Sequence, residues 1–213
     1  MQPVNTRFNA FARLWIATMA AIALLIPVAA SAQFSESYNF LKAVRERDGD
    51  KATQLLNQPG STMINTKDIT TGESALHIVT QRRDITWMGF LLQRGANPNA
   101  RDNNGVTPLM MAVTLRFADG AQTLIDRKAK VDDTNNSGET PLIRAVQLRD
   151  LAMVRLLLKA GANPDKQDTI AGQSARDYAD GDFRNPQILD AIKDTDKDRK
   201  TGTGNANVFG PTG

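Results

Sequence analysis

The sequence predicts an all-α repeat array built from helix pairs, and three observations predict it. Four glycines, Gly72, Gly105, Gly138 and Gly172, recur at spacings of 33, 33 and 34 residues. Each opens a similar run: Gly72-Glu73-Ser74-Ala75-Leu76-His77, Gly105-Val106-Thr107-Pro108-Leu109-Met110, Gly138-Glu139-Thr140-Pro141-Leu142-Ile143 and Gly172-Gln173-Ser174-Ala175-Arg176-Asp177. A shared terminator, Gly95-Ala96-Asn97-Pro98-Asn99 and Gly161-Ala162-Asn163-Pro164-Asp165, closes two of the units. A fixed period in this range means small units that bury their apolar faces only by stacking on one another.

Each element follows from local chemistry. Thr107-Pro108 and Thr140-Pro141 are helix starts, because threonine accepts from the free N–H groups of the first turn and proline fits that turn. Ser74-Ala75 and Ser174-Ala175 keep the cap without the proline. A short apolar helix follows, as at 142–146, then a turn, then a second helix with apolar residues at helical spacing, as at 151–158. Glycine after that helix and proline just beyond it are stop signals.

These residues resemble the ankyrin repeat, whose signature joins a Thr-Pro-Leu-His helix start to a Gly-Ala-x-x-Asn ending. Ser74 to His77, Thr107 to Met110 and Thr140 to Ile143 carry the first part, and the two terminators carry the second. Lys128-Ala129-Lys130-Val131-Asp132 is a degenerate copy in the same columns. The resemblance implies an ankyrin solenoid of about five stacked helix-turn-helix units joined by β-hairpin-like loops. It covers residues 38–194, with units near 38–67, 68–100, 101–133, 134–167 and 168–194. The first unit lacks the Thr-Pro start and carries an insertion near Gln58-Pro59-Gly60. The last places Arg176-Asp177 in apolar columns, and both ends read as polar-faced caps.

Residues 1–32 read as a signal peptide: Arg7 and Arg13, an apolar run at 14–30, and Ala30-Ser31-Ala32 before Gln33. The rival reading is an uncleaved anchor, since the run lies at the short edge of spanning length. Residues 33–37 are expected to be a linker, and 195–213 a disordered polar tail. Within that tail Val208-Phe209 reads either as a docking segment or as part of an unstructured end. The expected location is exported, periplasmic in a Gram-negative cell, by resemblance to exported bacterial ankyrin-repeat proteins. The chain has no cysteine, which removes disulfides, thiol catalysis and thiolate metal sites. The formal charge of +3 falls by two, to +1, if Arg7 and Arg13 leave with the leader, so neither nucleic acid nor a membrane surface is an expected partner.

No phosphate loop and no carboxylate pair at catalytic spacing is present, so no enzyme activity, cofactor or metal is expected. The resemblance gives the sole histidine, His77, a structural role between neighbouring turns. Aligning the units instead singles out Arg47, Arg83, Arg116 and Arg149, in the turn between the two helices, where the ankyrin unit typically has glycine. Two readings stand: a guanidinium row along the groove edge that meets an acidic protein partner, or duplicated surface charges paired to neighbours. Asp48, Asp84 and Asp150 follow three of these arginines and are placed to cap the second helices, while Phe117 takes that place in the third unit.

The resemblance further implies partner contacts at the hairpin tips, among them Arg101, Asn103, Asn104 and Asn136, and beside the arginine column at Arg82, Leu115 and Leu148. The two leucines either form an exposed apolar patch or fold back onto the stack. Trp87 and Phe90 are expected in the core. The function expected is an exported, monomeric scaffold for protein–protein interaction through its concave groove and hairpin tips. The alternative is an immunity, inhibitor or protective protein that binds one secreted toxin or periplasmic enzyme.

Overall fold

A computed structural model describes residues 36–201. The expected leader and the tail from residue 202 onward lie outside the described residues. Among the described residues, ten α-helices occur in five pairs: α1 (residues 36–46) with α2 (Gly49–Leu56), α3 (Ala75–Gln81) with α4 (Ile85–Gln93), α5 (Pro108–Thr114) with α6 (Ala118–Asp126), α7 (Pro141–Gln147) with α8 (Leu151–Lys159), and α9 (Ala175–Asp180) with α10 (Pro186–Thr201). A 3-10 turn, Met63–Asn65, follows the first pair. Each first helix from α3 to α9 touches its pair mate, the first helices α3, α5, α7 and α9 stack in order, and the second helices from α4 to α10 do likewise. The all-α solenoid is the fold the period predicts.

The helix starts form as their sequences require. Thr107 accepts from Met110 N–H at 3.2 Å and Thr140 from Ile143 N–H at 3.1 Å, with proline at the head of both helices. Asp48, Asp84 and Asp150 cap α2, α4 and α8, accepting from the N–H of Lys51, Trp87 and Met153. The third pair departs from this: Phe117 stands at the N-cap of α6 and supplies no cap. Its ring lies over Gly120, where a Cβ would collide with it. Asp119 falls inside the first turn instead, where a negative charge suits the helix dipole.

One apolar core runs the length of the stack. Phe40, Val44, Leu76, Val79, Met88, Leu91, Leu109, Leu124, Leu142, Leu157 and Ile192 are fully buried. Both ends extend further than expected. Residues 36 and 37, expected in the linker, are already helical. α10 continues through Thr201, past the close expected at 194, because its last turns are held to the array. The Arg176 guanidinium binds Asp165 at 2.6 Å and, in α10, Asp196 at 2.9 Å. That double pairing raises the Arg176 pKa, with the Asp165 hydrogen bond the larger cause. The polar residue in an apolar column thus fastens the closing helix to the unit before it.

Candidate partner-binding surface

Each first helix from α1 to α7 ends in the same hydrogen-bond pattern. In the second pair Arg83 N–H donates to Thr80 O at 2.9 Å, and Asp84 N–H to Val79 O at 2.9 Å. Arg47/Asp48, Arg116/Phe117 and Arg149/Asp150 repeat the two bonds. This closure needs a left-handed residue just past the helix, usually glycine. Here it is arginine each time, at φ 60°, 54°, 52° and 55°. A side chain in that conformation costs about 1 kcal/mol. The second helices close the same way at Gly95 and Gly161, and at Lys128 in the third pair.

What the arginines gain is a hold on the next unit. Arg47 Nε binds Asp84 at 3.0 Å, and Arg149 Nε binds Asp182 at 2.8 Å. Arg83 and Arg116 each donate to the carbonyl at the end of the next first helix, Leu115 O and Leu148 O, and Arg116 lies 3.9 Å from Asp150. The carbonyls at a helix end are short of donors and carry the negative end of its dipole, so a guanidinium suits them. Five units make four interfaces, and there are four such arginines. Among the described residues, the turn of the fifth pair has no left-handed residue and no further unit follows it.

Other candidates are also engaged in stitching. Arg82 donates to the α1 carbonyls Val44 O at 2.7 Å and Arg45 O at 3.1 Å and to Asp84 at 3.1 Å. Asn103 Nδ2 donates to Thr70 O at 2.8 Å and Asn136 Nδ2 to Asn103 O at 3.0 Å, while the two backbone N–H groups donate to Thr71 O and Asn104 O. The hairpin tips therefore form a ladder along the array. Gly72 and Gly105 are glycine because a Cβ would strike Asn103 and Asn136. The Arg101 carbonyl accepts from Lys67 Nζ at 2.6 Å, and its guanidinium lies against Gly105. Leu115 and Leu148 are half-buried helix ends rather than an exposed patch. Asn104 keeps an exposed side chain.

His77 takes the structural role expected of it. Its Nδ1 accepts from Ser74 N–H at 3.1 Å, which leaves Nε2–H to donate to Val106 O of the next hairpin at 2.9 Å. Burial lowers its pKa, so the neutral ring is the one the fold holds. Asn135, the first residue of an Asn-Asn-Ser sequon, is half-buried and bonds Glu139 through both side-chain atoms.

Three surface features escaped the sequence. Ile69 and Ile170 are 85% and 79% exposed on the two hairpin tips that are one residue longer than the polar tips between them. The longer runs Asp68-Ile69-Thr70-Thr71-Gly72 and Asp168-Thr169-Ile170-Ala171-Gly172 were the available signal. Trp87 and Phe90, expected in the core, are half-buried and edge-to-face at 5.6 Å, with Arg82 over the first ring and Arg94 over the second. Both pack against the core with one side and line a shallow surface depression with Arg47, Gly49 and Thr86 on the other.

Among the described residues no cluster of His, Asp or Glu is grouped to hold a metal, and no helix is long and apolar enough to cross a membrane. The family model described as ankyrin repeats (3 copies) matches residues 40–135 and 90–168, more than half of the sequence. With its stacked helix pairs repeating at this period, the chain belongs to the ankyrin-repeat family.

Proposed function

We propose that this chain is an exported scaffold that binds a protein partner along its hairpin tips and first-helix face. Ankyrin repeats generally mediate protein–protein interaction and are typically non-enzymatic. The observation that carries the reading is the division of labour among side chains. The stitching residues make the tip edge rigid, while Ile69, Asn104 and Ile170 stand exposed on it, and Gln81, Thr114 and Gln147 are exposed at the ends of the first helices. A surface ordered before binding loses little conformational entropy on association, and exposed isoleucines on rigid tips suit anchoring. The arginine column runs beside this face with Arg47, Arg116 and Arg149 still more than half exposed, which favours an acidic partner. Export rests on the leader at 1–32.

The test is affinity capture from the exported fraction with the full chain and with an Ile69→Ser/Ile170→Ser variant. The variant should keep the parent melting temperature and lose the captured partner. Equal recovery by both would refute tip-anchored binding. N-terminal sequencing of the exported protein should begin at Gln33, and a retained leader would refute its removal.

A further inference from the structure

We propose that Asn104 is a site of spontaneous covalent modification. Its side-chain amide is lost to give aspartate or isoaspartate, which charges the hairpin tip at 102–105 and cuts the rung that joins it to the next tip. The proposal rests on the chemistry of the tip and holds whether or not a partner binds there. Asparagine loses its amide when the backbone nitrogen of the following residue attacks the side-chain carbonyl carbon. A bond forms between that nitrogen and Cγ, and the bond from Cγ to the amide nitrogen breaks. Ammonia leaves with the proton that the attacking nitrogen gives up. Water then opens the cyclic imide at either carbonyl, leaving aspartate or, with the chain rerouted through Cβ, isoaspartate. The sequence of steps needs no reagent beyond water.

Two independent observations single out Asn104. It is the only asparagine in the sequence that is followed by glycine, and the missing Cβ leaves the attacking nitrogen unshielded. Its side chain is exposed, and among the described residues it is the one loop asparagine without a side-chain hydrogen bond. The others are tied down. Asn103 and Asn136 bond the preceding tips through Nδ2. Asn65 and Asn99 hold the chain just past α4 and α6 through both side-chain atoms. Asn135 holds Glu139 in the same way. A bonded amide cannot turn onto the next backbone nitrogen without breaking its contacts. The Asn104 amide is free to turn. What opposes attack is the packing of Gly105 against Asn136 and one turn bond, Gly105 N–H to Asp102 O at 3.0 Å. A single backbone bond at a loop tip opens at far lower cost than the helices it joins, and the reaction proceeds from that opened turn.

The product alters the edge of the array. The Asn104 carbonyl accepts from Asn136 N–H at 3.0 Å, which is the backbone rung between these two tips. In isoaspartate that carbonyl becomes a free carboxylate off the main chain, and the main chain gains a methylene, so the rung loses its register. In either product a new carboxylate stands near Asp102, whose side chain already accepts from the N–H groups of Asn104 and Val106. The tip changes from a neutral amide to an acid, which works against an acidic partner at this edge.

The experiment ages the full chain in warm, mildly alkaline buffer beside the Asn104→Gln variant and a synthetic peptide of residues 101–106. Peptide mapping by mass spectrometry locates the amide-to-acid change, and an isoaspartyl methyltransferase measures isoaspartate. The parent should convert at Asn104 before any other described asparagine. It should convert more slowly than the peptide, because its turn bond must open first. Asn104→Gln keeps the amide but lengthens the side chain by a methylene, and should lose the conversion at this site. In the isoaspartyl form, separated by ion exchange, the Asn136 N–H should exchange with solvent faster than in the unmodified chain. The proposal is overturned if the folded chain is unchanged at Asn104 after the peptide has fully converted, or if another loop asparagine converts first. It is also overturned if the Asn136 N–H exchanges at the same rate in both forms, because the rung would then survive the modification.

Discussion

The two helix ends within one unit solve the same backbone problem with different residues. Both close through a left-handed residue, at similar φ, with the same pair of hydrogen bonds. At the end of the second helix that residue is Gly95 or Gly161, which enter the conformation without steric cost. At the end of the first helix it is arginine four times over, each strained by about 1 kcal/mol. The difference between the two ends lies in what is within reach. The turn after the first helix stands beside the equivalent turn of the next unit, and a long side chain there reaches its Asp or its last carbonyl. A charge-assisted hydrogen bond contributes roughly 1.5–3 kcal/mol at best. Solvent screening at these half-exposed sites reduces that to about 1 kcal/mol, similar to the strain it offsets. In a linear array such a gain at every interface adds to coupling between units as well as to total stability.

The largest effect should come from removing the whole column. Changing Arg47, Arg83, Arg116 and Arg149 together to Gln keeps the strain and removes the charged hold, so denaturant unfolding should show a loss of about 3–4 kcal/mol. The transition should also broaden as the units uncouple. A sharp transition at the parent midpoint would break the comparison.

A second test is a histidine that joins units from the opposite edge. His77→Phe leaves the buried Ser74 N–H without its partner and removes one of the two donors to Val106 O, the other being Asp102 N–H, and should cost about 2 kcal/mol. Because burial lowers the His77 pKa, the neutral ring belongs to the folded state and its contribution is complete above the unfolded value near 6.5. Stability should decline as pH falls below that value, and His77→Phe should lack that component. A variant that follows the parent through this range would contradict the assignment.

Acid also separates two kinds of arginine contact. Hydrogen bonding from Arg149 holds the Asp182 carboxyl below its ordinary range, so this pair stabilises the fold above pH 3.8 and is lost as pH falls through the lowered value. The cost of Arg149→Gln should therefore shrink in acid. Arg83 holds a carbonyl, which does not titrate there, and the cost of Arg83→Gln should persist. Parallel pH profiles for the two variants would show that Asp182 is not the relevant partner.

Much of this architecture was legible in the sequence, because helix caps, turns and apolar spacing act within a few residues. The Thr107, Thr140, Asp84 and Asp150 caps stood where the pattern put them. The arginine column was legible as a departure, but its use was not, since each side chain ends on a unit about 33 residues away. One clue was present: the column stops one unit short of the array. The sequence places Asn103 and Asn136 among the partner-contact tips, and their bonds to the preceding hairpin stay hidden because a turn-forming asparagine has the same local sequence. Trp87 is half-buried beside Arg47 and Gly49 of a different unit, a neighbourhood that no local pattern reports. Exposed Ile69 and Ile170 were missed because an isolated isoleucine in a loop carries no period.

The smallest effect tests the central claim most directly, because Lys128 is an internal control. It is left-handed at φ 68°, as strained as the arginines, yet among the described residues its ammonium holds no partner. Lys128→Gly should relieve strain with nothing lost and stabilise the protein by about 0.5 kcal/mol. Arg149→Gly relieves similar strain but releases Asp182, and should destabilise by about 0.5–1 kcal/mol. Opposite signs, measured by denaturant unfolding of the two variants beside the parent, are the predicted result. If both glycines stabilise the array, the arginines do not hold its units together.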